Sequence, residues 1–295
     1  MDTIEHTPTD STAAFELPRV LVVGTELTAL DQAVGTLAIR LAAMLQAAVN
    51  LVHVIDAGLG DVPVDGEPNE VMHRALTARV RERVEAARDA LESERVRIAA
   101  LDRDGRAVVR VTLADGRPWE TILQIARDVR RAWIVVGGRT GASLLGHTSD
   151  HVLRHAELPV IVVPEGCADG LVGPVLVAVD GTAHASGVLR AAGELARALG
   201  RPLDVLHVHS ATDFDAPARI ADRLREVPAD VATARTLHLV VQTTSVVHAI
   251  TERVRLSAAS LVVVGAGGHG LAERVLGSTP ASLARTSPVP VLVVR

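Results

Sequence analysis

The chain has 295 residues, 48% apolar and 22% charged, a balance that excludes wholesale disorder and supports two ordinary domains better than one. A net charge of -5 and a pI of about 6.2 leave no basic footprint for DNA or RNA, and 1% aromatic content removes the stacking platforms of single-strand binders. All 30 basic residues are arginine, which excludes Walker-type, Schiff-base and kinase-type lysine chemistry together.

The acidic, polar opening up to Pro18 has neither the positive start nor the apolar stretch of a secretory signal, and is expected to be a disordered tail. Apolar runs such as Leu261 to Val264 are far shorter than the roughly 20 residues a bilayer span needs. The single cysteine, Cys167, permits no intrachain disulfide. Together these features are those of a cytoplasmic protein.

Short, solid apolar runs follow. Strands are predicted near 19–24, 49–55, 107–113, 132–137 and 159–163, and again near 174–179, 202–208, 236–242, 260–265 and 289–294. Between them the spacing turns helical, with Leu37, Leu41 and Leu45 at i, i+4 and i+8, echoed by Leu195 and Leu199. The stretch from Glu70 to Glu94 reads as a long amphipathic helix with an Arg/Glu-rich face. Apolar strands alternating with helices predict an α/β fold with a parallel sheet buried on both faces.

The runs repeat in order: VLVV (20–23) with VLVAV (175–179), LVHV (51–54) with VLHV (205–208), IVVG (134–137) with VVVG (262–265), and PVIVV (159–163) with PVLVV (290–294). The chain is therefore two tandem halves, residues 19–164 and 174–295, joined by a linker at 165–173.

In a doubly wound sheet, ligands sit beyond the carboxyl ends of the strands where strand order reverses. There the second half supplies Asp180, Gly181 and Thr182 after its first strand. After its fourth strand come Gly265 and Gly268, and then Gly277, Ser278 and Thr279 opening the last helix. Glycines let backbone amides approach an anion, and a helix start adds unpaired donors, which together make a phosphate cradle. A carboxylate at the neighbouring strand end can accept hydrogen bonds from sugar hydroxyls. Ordinary turn chemistry at Asp180 and helix capping at Ser278 are the competing readings.

These residues resemble the universal stress protein family in its tandem form. Nucleotide-binding members carry Asp-Gly-Ser after the first strand, and after the fourth a GxxG, nine residues, then Gly-Ser. Here Asp180-Gly181-Thr182 and a Gly268–Gly277 spacing of eight come one residue short. The resemblance implies two five-stranded sheets of the adenine-nucleotide alpha-hydrolase-like type, strand order 3-2-1-4-5, packed as a pseudo-dimer. It also implies an adenine nucleotide, ATP with Mg as its companion, and adenine contacts at Val208. Self-association and a role in stress response or growth regulation belong to the same implication. A nucleotide-free interaction scaffold and a slow ATPase are the alternatives; nothing in the motif looks like a general base.

The first half departs further. Its first strand runs VLVVGTEL, with Thr25 where the aspartate belongs. Nine positions separate Gly137 from Gly146, against twelve from Gly265 to Gly277, while His147 replaces the serine. The four residues missing against the family pattern shorten the loop's reach by up to roughly 13 Å. Weak nucleotide binding, or none, is expected there.

Other signals carry less. Gly265, Gly267 and Gly270 match a dinucleotide fingerprint, but after a fourth strand and without the acid that should follow about 20 residues later. His147, His151 and His155 share one helix face at a workable metal spacing, and the bland reading is a solvated stripe opposite Val152, Leu153 and Ala156. His207 and His209 share a strand face and either line the crevice or pack beneath a helix. Trp119 and Trp133 read as core or interface. The apolar run Val289 to Val294 reads as an edge strand of the sort that pairs across an interface.

Overall fold

The computed structural model describes residues 15–28, 31–56, 70–138, 146–167, 171–182, 184–209, 212–226, 234–241, 245–267 and 276–295. Valine-rich runs become strands because their β-branched side chains fill both faces of a sheet, and the intervening segments carry one apolar stripe each. The first half runs β1 (Val20–Gly24), α1 (Gln32–Leu45), β2 (Ala48–Ile55), α2 (Glu70–Ala99), β3 (Val109–Asp115), α3 (Pro118–Arg127), β4 (Ala132–Gly138), α4 (His147–His155) and β5 (Val160–Pro164). The second half runs β6 (Val175–Val179), α5 (Ala185–Ala198), β7 (Leu203–His209), α6 (Ala216–Glu226), β8 (Ala234–Val241), α7 (Val246–Ser257), β9 (Leu261–Gly265), α8 (Ser278–Thr286) and β10 (Val291–Val294).

All ten strands form one sheet, ordered β3-β2-β1-β4-β5-β10-β9-β6-β7-β8. Each half has the expected 3-2-1-4-5 order and is parallel throughout. The halves join through β5 and β10, which pair antiparallel with Leu292 opposite Ile161. This corrects the expectation for Val289 to Val294: the run is not an edge, because its own chain supplies the partner strand. The sheet's edges are β3 and β8.

Two apolar layers sandwich the sheet. Leu37, Leu41, Leu189, Leu195 and Ile161 belong to one, and Ile122, Leu153, Ile250, Leu283 and Val293 to the other. Residues 15–18 are ordered, contrary to the expected tail: Phe15 packs on the buried Trp133 with ring centroids 5.4 Å apart, Pro18 is buried, and Glu16 pairs with Arg131 at 2.8 Å. The end of the predicted linker is tied to the start of β9. The Gly173 carbonyl accepts from Ser260 Oγ, and the Pro174 carbonyl from Ser260 N.

Candidate nucleotide crevice

Beyond the carboxyl ends of β6, β7 and β9 lies a groove of about 2260 Å³. Asp180, Thr182, Val208, Gly265, Gly277, Ser278 and Thr279 line it, so most of the predicted residues converge on one space. Gly268 lies outside the described residues. Gly181 sits just behind the wall with φ +75°, where a Cβ would lie 3.5 Å from His207 Cε1. Only glycine takes that left-handed backbone freely.

Asp180 is held by its own turn. Its Oδ1 accepts from Thr182 N at 3.0 Å and Thr182 Oγ1 at 2.7 Å, so the carboxylate is fixed at the end of β6 and not swung outward. At the opposite wall the Gly277 amide donates to the Ala266 carbonyl at 2.8 Å, which ties the start of α8 back to the end of β9. The exposed Ser278 and half-buried Thr279 then begin the helix, whose first-turn amides lack intrahelical acceptors.

The groove wall also holds His207, His209, Asp213 and Arg219. His207 and His209, left undecided by their spacing, both line the groove, with rings stacked at 5.9 Å and 11°. His207 Nδ1–H donates to the Val179 carbonyl at 2.8 Å, and Nε2 is buried without a hydrogen-bond partner among the described residues. Burial pushes the His207 pKa below the ordinary imidazole value, so the ring is held neutral. Asp213 and Arg219 form a two-pronged ion pair at the mouth, 2.9 Å for Nη1–Oδ1 and 2.5 Å for Nη2–Oδ2, which lowers the Asp213 pKa. Neither was legible beforehand, since a lone Asp and Arg six residues apart are ordinary surface composition.

The first half's equivalent hollow measures about 150 Å³. Its register corrects the sequence alignment. Through β2, His53 Nδ1–H donates to the Thr25 carbonyl as His207 does to Val179, each pair 28 residues apart. Through β4 and β9, Val23 stands opposite Val135 as Val177 stands opposite Val263. Thr25 is thus the counterpart of Val179, and Glu26 of Asp180. Leu27, at φ +59°, is the counterpart of Gly181. The half kept an acid and lost the glycine. Its turn is also filled: Asp31 Oδ2 accepts from Glu26 N at 3.0 Å, Thr28 N at 3.1 Å and Thr28 Oγ1 at 3.0 Å. Glu26, Asp31 and Glu165 line the hollow, with no arginine among the described lining residues. Among its described lining residues the large groove has five arginines against four acidic side chains.

The histidine stripe is not simply solvated. His147 and His151 rings lie 4.4 Å apart, and Trp119 of α3 contacts His151 and His155 at 5.1 Å each, with Val152, Leu153 and Ala156 buried beneath. Among the described residues no group of three His, Cys, Asp or Glu converges as a metal site, and no helix is long and apolar enough to cross a membrane.

A doubly wound sheet of order 3-2-1-4-5 with a glycine-lined crevice at its reversal point defines the adenine-nucleotide alpha-hydrolase-like class of α/β proteins. The universal stress protein family model matches residues 18–164 and again 172–295. The chain belongs to that family, as a tandem of two domains. It is similar to a universal stress protein from Archaeoglobus fulgidus DSM 4304, with 21% identity and a TM-score of 0.69, covering 94% of this chain and 98% of that one. It is also similar to a protein of unknown function from Pseudomonas aeruginosa PAO1, with 18% identity, a TM-score of 0.60, and coverage of 94% and 92%.

Proposed function

We propose that the chain binds an adenine nucleotide, ATP foremost, in its second half, and that occupancy of this site couples to stress response or growth regulation in the cytoplasm. The observation that carries the reading is the contrast between an open groove of about 2260 Å³ and a carboxylate-lined hollow of about 150 Å³ in otherwise matching halves. Small-molecule sites run to roughly 300–1,000 Å³, so the first hollow is too small for a nucleotide and the groove is ample.

In this reading Asp180 accepts from the ribose hydroxyls, Val208 lends its backbone to the adenine, and the Gly265–Ser278 loop with the start of α8 cradles the phosphates. Asp180 is held in place by Thr182 and so needs no ordering on binding. A magnesium ion would ride on the phosphates, as Mg²⁺ commonly does in nucleotide sites. Self-association belongs to the same reading, with the edge strand β3, where Val111 is exposed, as the strand open to pairing.

Thermal melting with and without ATP tests it. Ligand at 100 times its dissociation constant stabilises the fold by roughly 2.7 kcal/mol. No shift at millimolar ATP favours the nucleotide-free scaffold, which the one-residue shortening of the second loop supports. ADP formed on long incubation, and lost in Asp180→Ala, would add a slow ATPase to the binding function.

A further inference from the structure

The groove is more than twice the roughly 1,000 Å³ at the upper end of small-molecule sites. It does not stop at the second half. From the β6, β7 and β9 ends it continues past Val294 and Arg295 to Trp119 on α3 and His155 on α4 of the first half.

Arg295 spans the join. Its neighbour Val294 pairs with Gly265 at the start of the phosphate loop and accepts from Ala266 N at 2.8 Å, while its own Nη2 donates to the Leu153 carbonyl on α4. The guanidinium therefore lies between loop and α4. Its Nε is buried with no hydrogen-bond partner among the described residues, and burial disfavours its charge. No carboxylate side chain among the described residues pairs with it. Arg127, also on the groove wall, forms no ion pair among the described residues. A half-buried guanidinium with no carboxylate side chain paired to it among the described residues, beside the exposed Arg127, leaves room for an anionic ligand.

At the far end, Trp119 is half-buried, lines the groove, and is backed by His151 and His155. In a chain with only four Phe, Tyr and Trp side chains, this is a ring cluster at the end of a passage whose described lining holds Arg127, Arg154 and Arg295 alongside Glu120 and Glu157. A mononucleotide in the second-half crevice would leave both passage and cluster empty.

We propose that the groove takes a nucleotide extended beyond its phosphates by a second ring system, a dinucleoside polyphosphate in its simplest form. One nucleoside occupies the Asp180 crevice, the polyphosphate crosses Arg295, and the second base stacks at Trp119. The inference rests on the adenine-nucleotide reading and names its ligand class.

Calorimetric titration of the full chain with ATP and with diadenosine tetraphosphate tests it. The dinucleotide is expected to bind roughly tenfold more tightly, the gain that one base stacked on an aromatic ring contributes. Trp119→Ala should bring the two affinities together while leaving that for ATP within about twofold, and Arg295→Ala should weaken the dinucleotide more than ATP. Indole fluorescence of the unmutated chain is the independent measurement, because Trp133 is buried: the dinucleotide should quench emission and ATP should not. Equal affinities with no selective quenching, while ATP still binds, overturn the dinucleotide and leave the adenine-nucleotide reading standing. Failure of both ligands to bind overturns both.

Discussion

Glu26 holds in the first half the strand-end position that Asp180 holds in the second, one residue beyond the carbonyls that receive His53 and His207. The two acids face different surroundings. Asp180 lines an open groove, whereas Glu26 shares a small hollow with Asp31 and Glu165. Asp180→Ala is expected to abolish any ATP-dependent rise in melting temperature, while Glu26→Ala and Thr25→Ala leave it intact.

Asp31 occupies three donors of the first-half turn. Its replacement by alanine should cost about 1 kcal/mol in chemical denaturation, the usual worth of a carboxylate capping local amides. It should not create a nucleotide site, because Glu26 and Glu165 still line the hollow.

His207 has a pKa lowered chiefly by burial, so the unfolded chain binds its proton more readily than the folded one. The neutral ring's contribution is fully present above the ordinary imidazole value of about 6.5 and is lost as pH falls through the folded pKa. The stability difference between the natural chain and His207→Leu should therefore shrink on acidification from pH 7 to pH 5. Denaturation at several pH values reads it directly; a gap that widens in acid contradicts the buried neutral ring.

Gly173 abuts the turn between α7 and β9, where a Cβ would lie 1.9 Å from the Ala258 carbonyl oxygen. Backbone must move to admit it. Gly173→Ala should destabilise by about 1–3 kcal/mol, the range for overpacking, without altering nucleotide selectivity.

The shared sheet predicts one unfolding transition for both halves. Leu292, fully buried and opposite Ile161, anchors the antiparallel junction. Leu292→Ala should cost about 2–5 kcal/mol. It should lower a single calorimetric peak; two separate peaks in the natural chain would contradict the coupling.

Strand identity was legible because blocks of valine and isoleucine bounded by Gly, Asp and Pro leave little else to form. Register was not. A run such as VLVV carries no internal phase, so sliding β1 by one residue against its repeat costs nothing in sequence, and Thr25 appeared to replace the acid that Glu26 supplies. Phase comes from the His53–Thr25 bond and the left-handed turn at Leu27, both visible only once strands are paired. The β5–β10 junction stayed hidden for a similar reason: two solid apolar runs pair equally well within one chain or between two. The convergence of Asp180, Gly265 and Gly277 to Thr279 on one space was readable, because in a doubly wound sheet the segments after the first and fourth strands meet at the reversal point. In the wall, the spacing of His207 and His209 left crevice and core both open, and Asp213 and Arg219 were not readable, since the fold alone brings them there.

Stoichiometry tests the central claim most directly. Isothermal titration of the full chain with ATP should give one site per chain, lost in Asp180→Ala and retained in Glu26→Ala. Two sites per chain, or a single site that survives Asp180→Ala and disappears in Glu26→Ala, would contradict the assignment of binding to the second half.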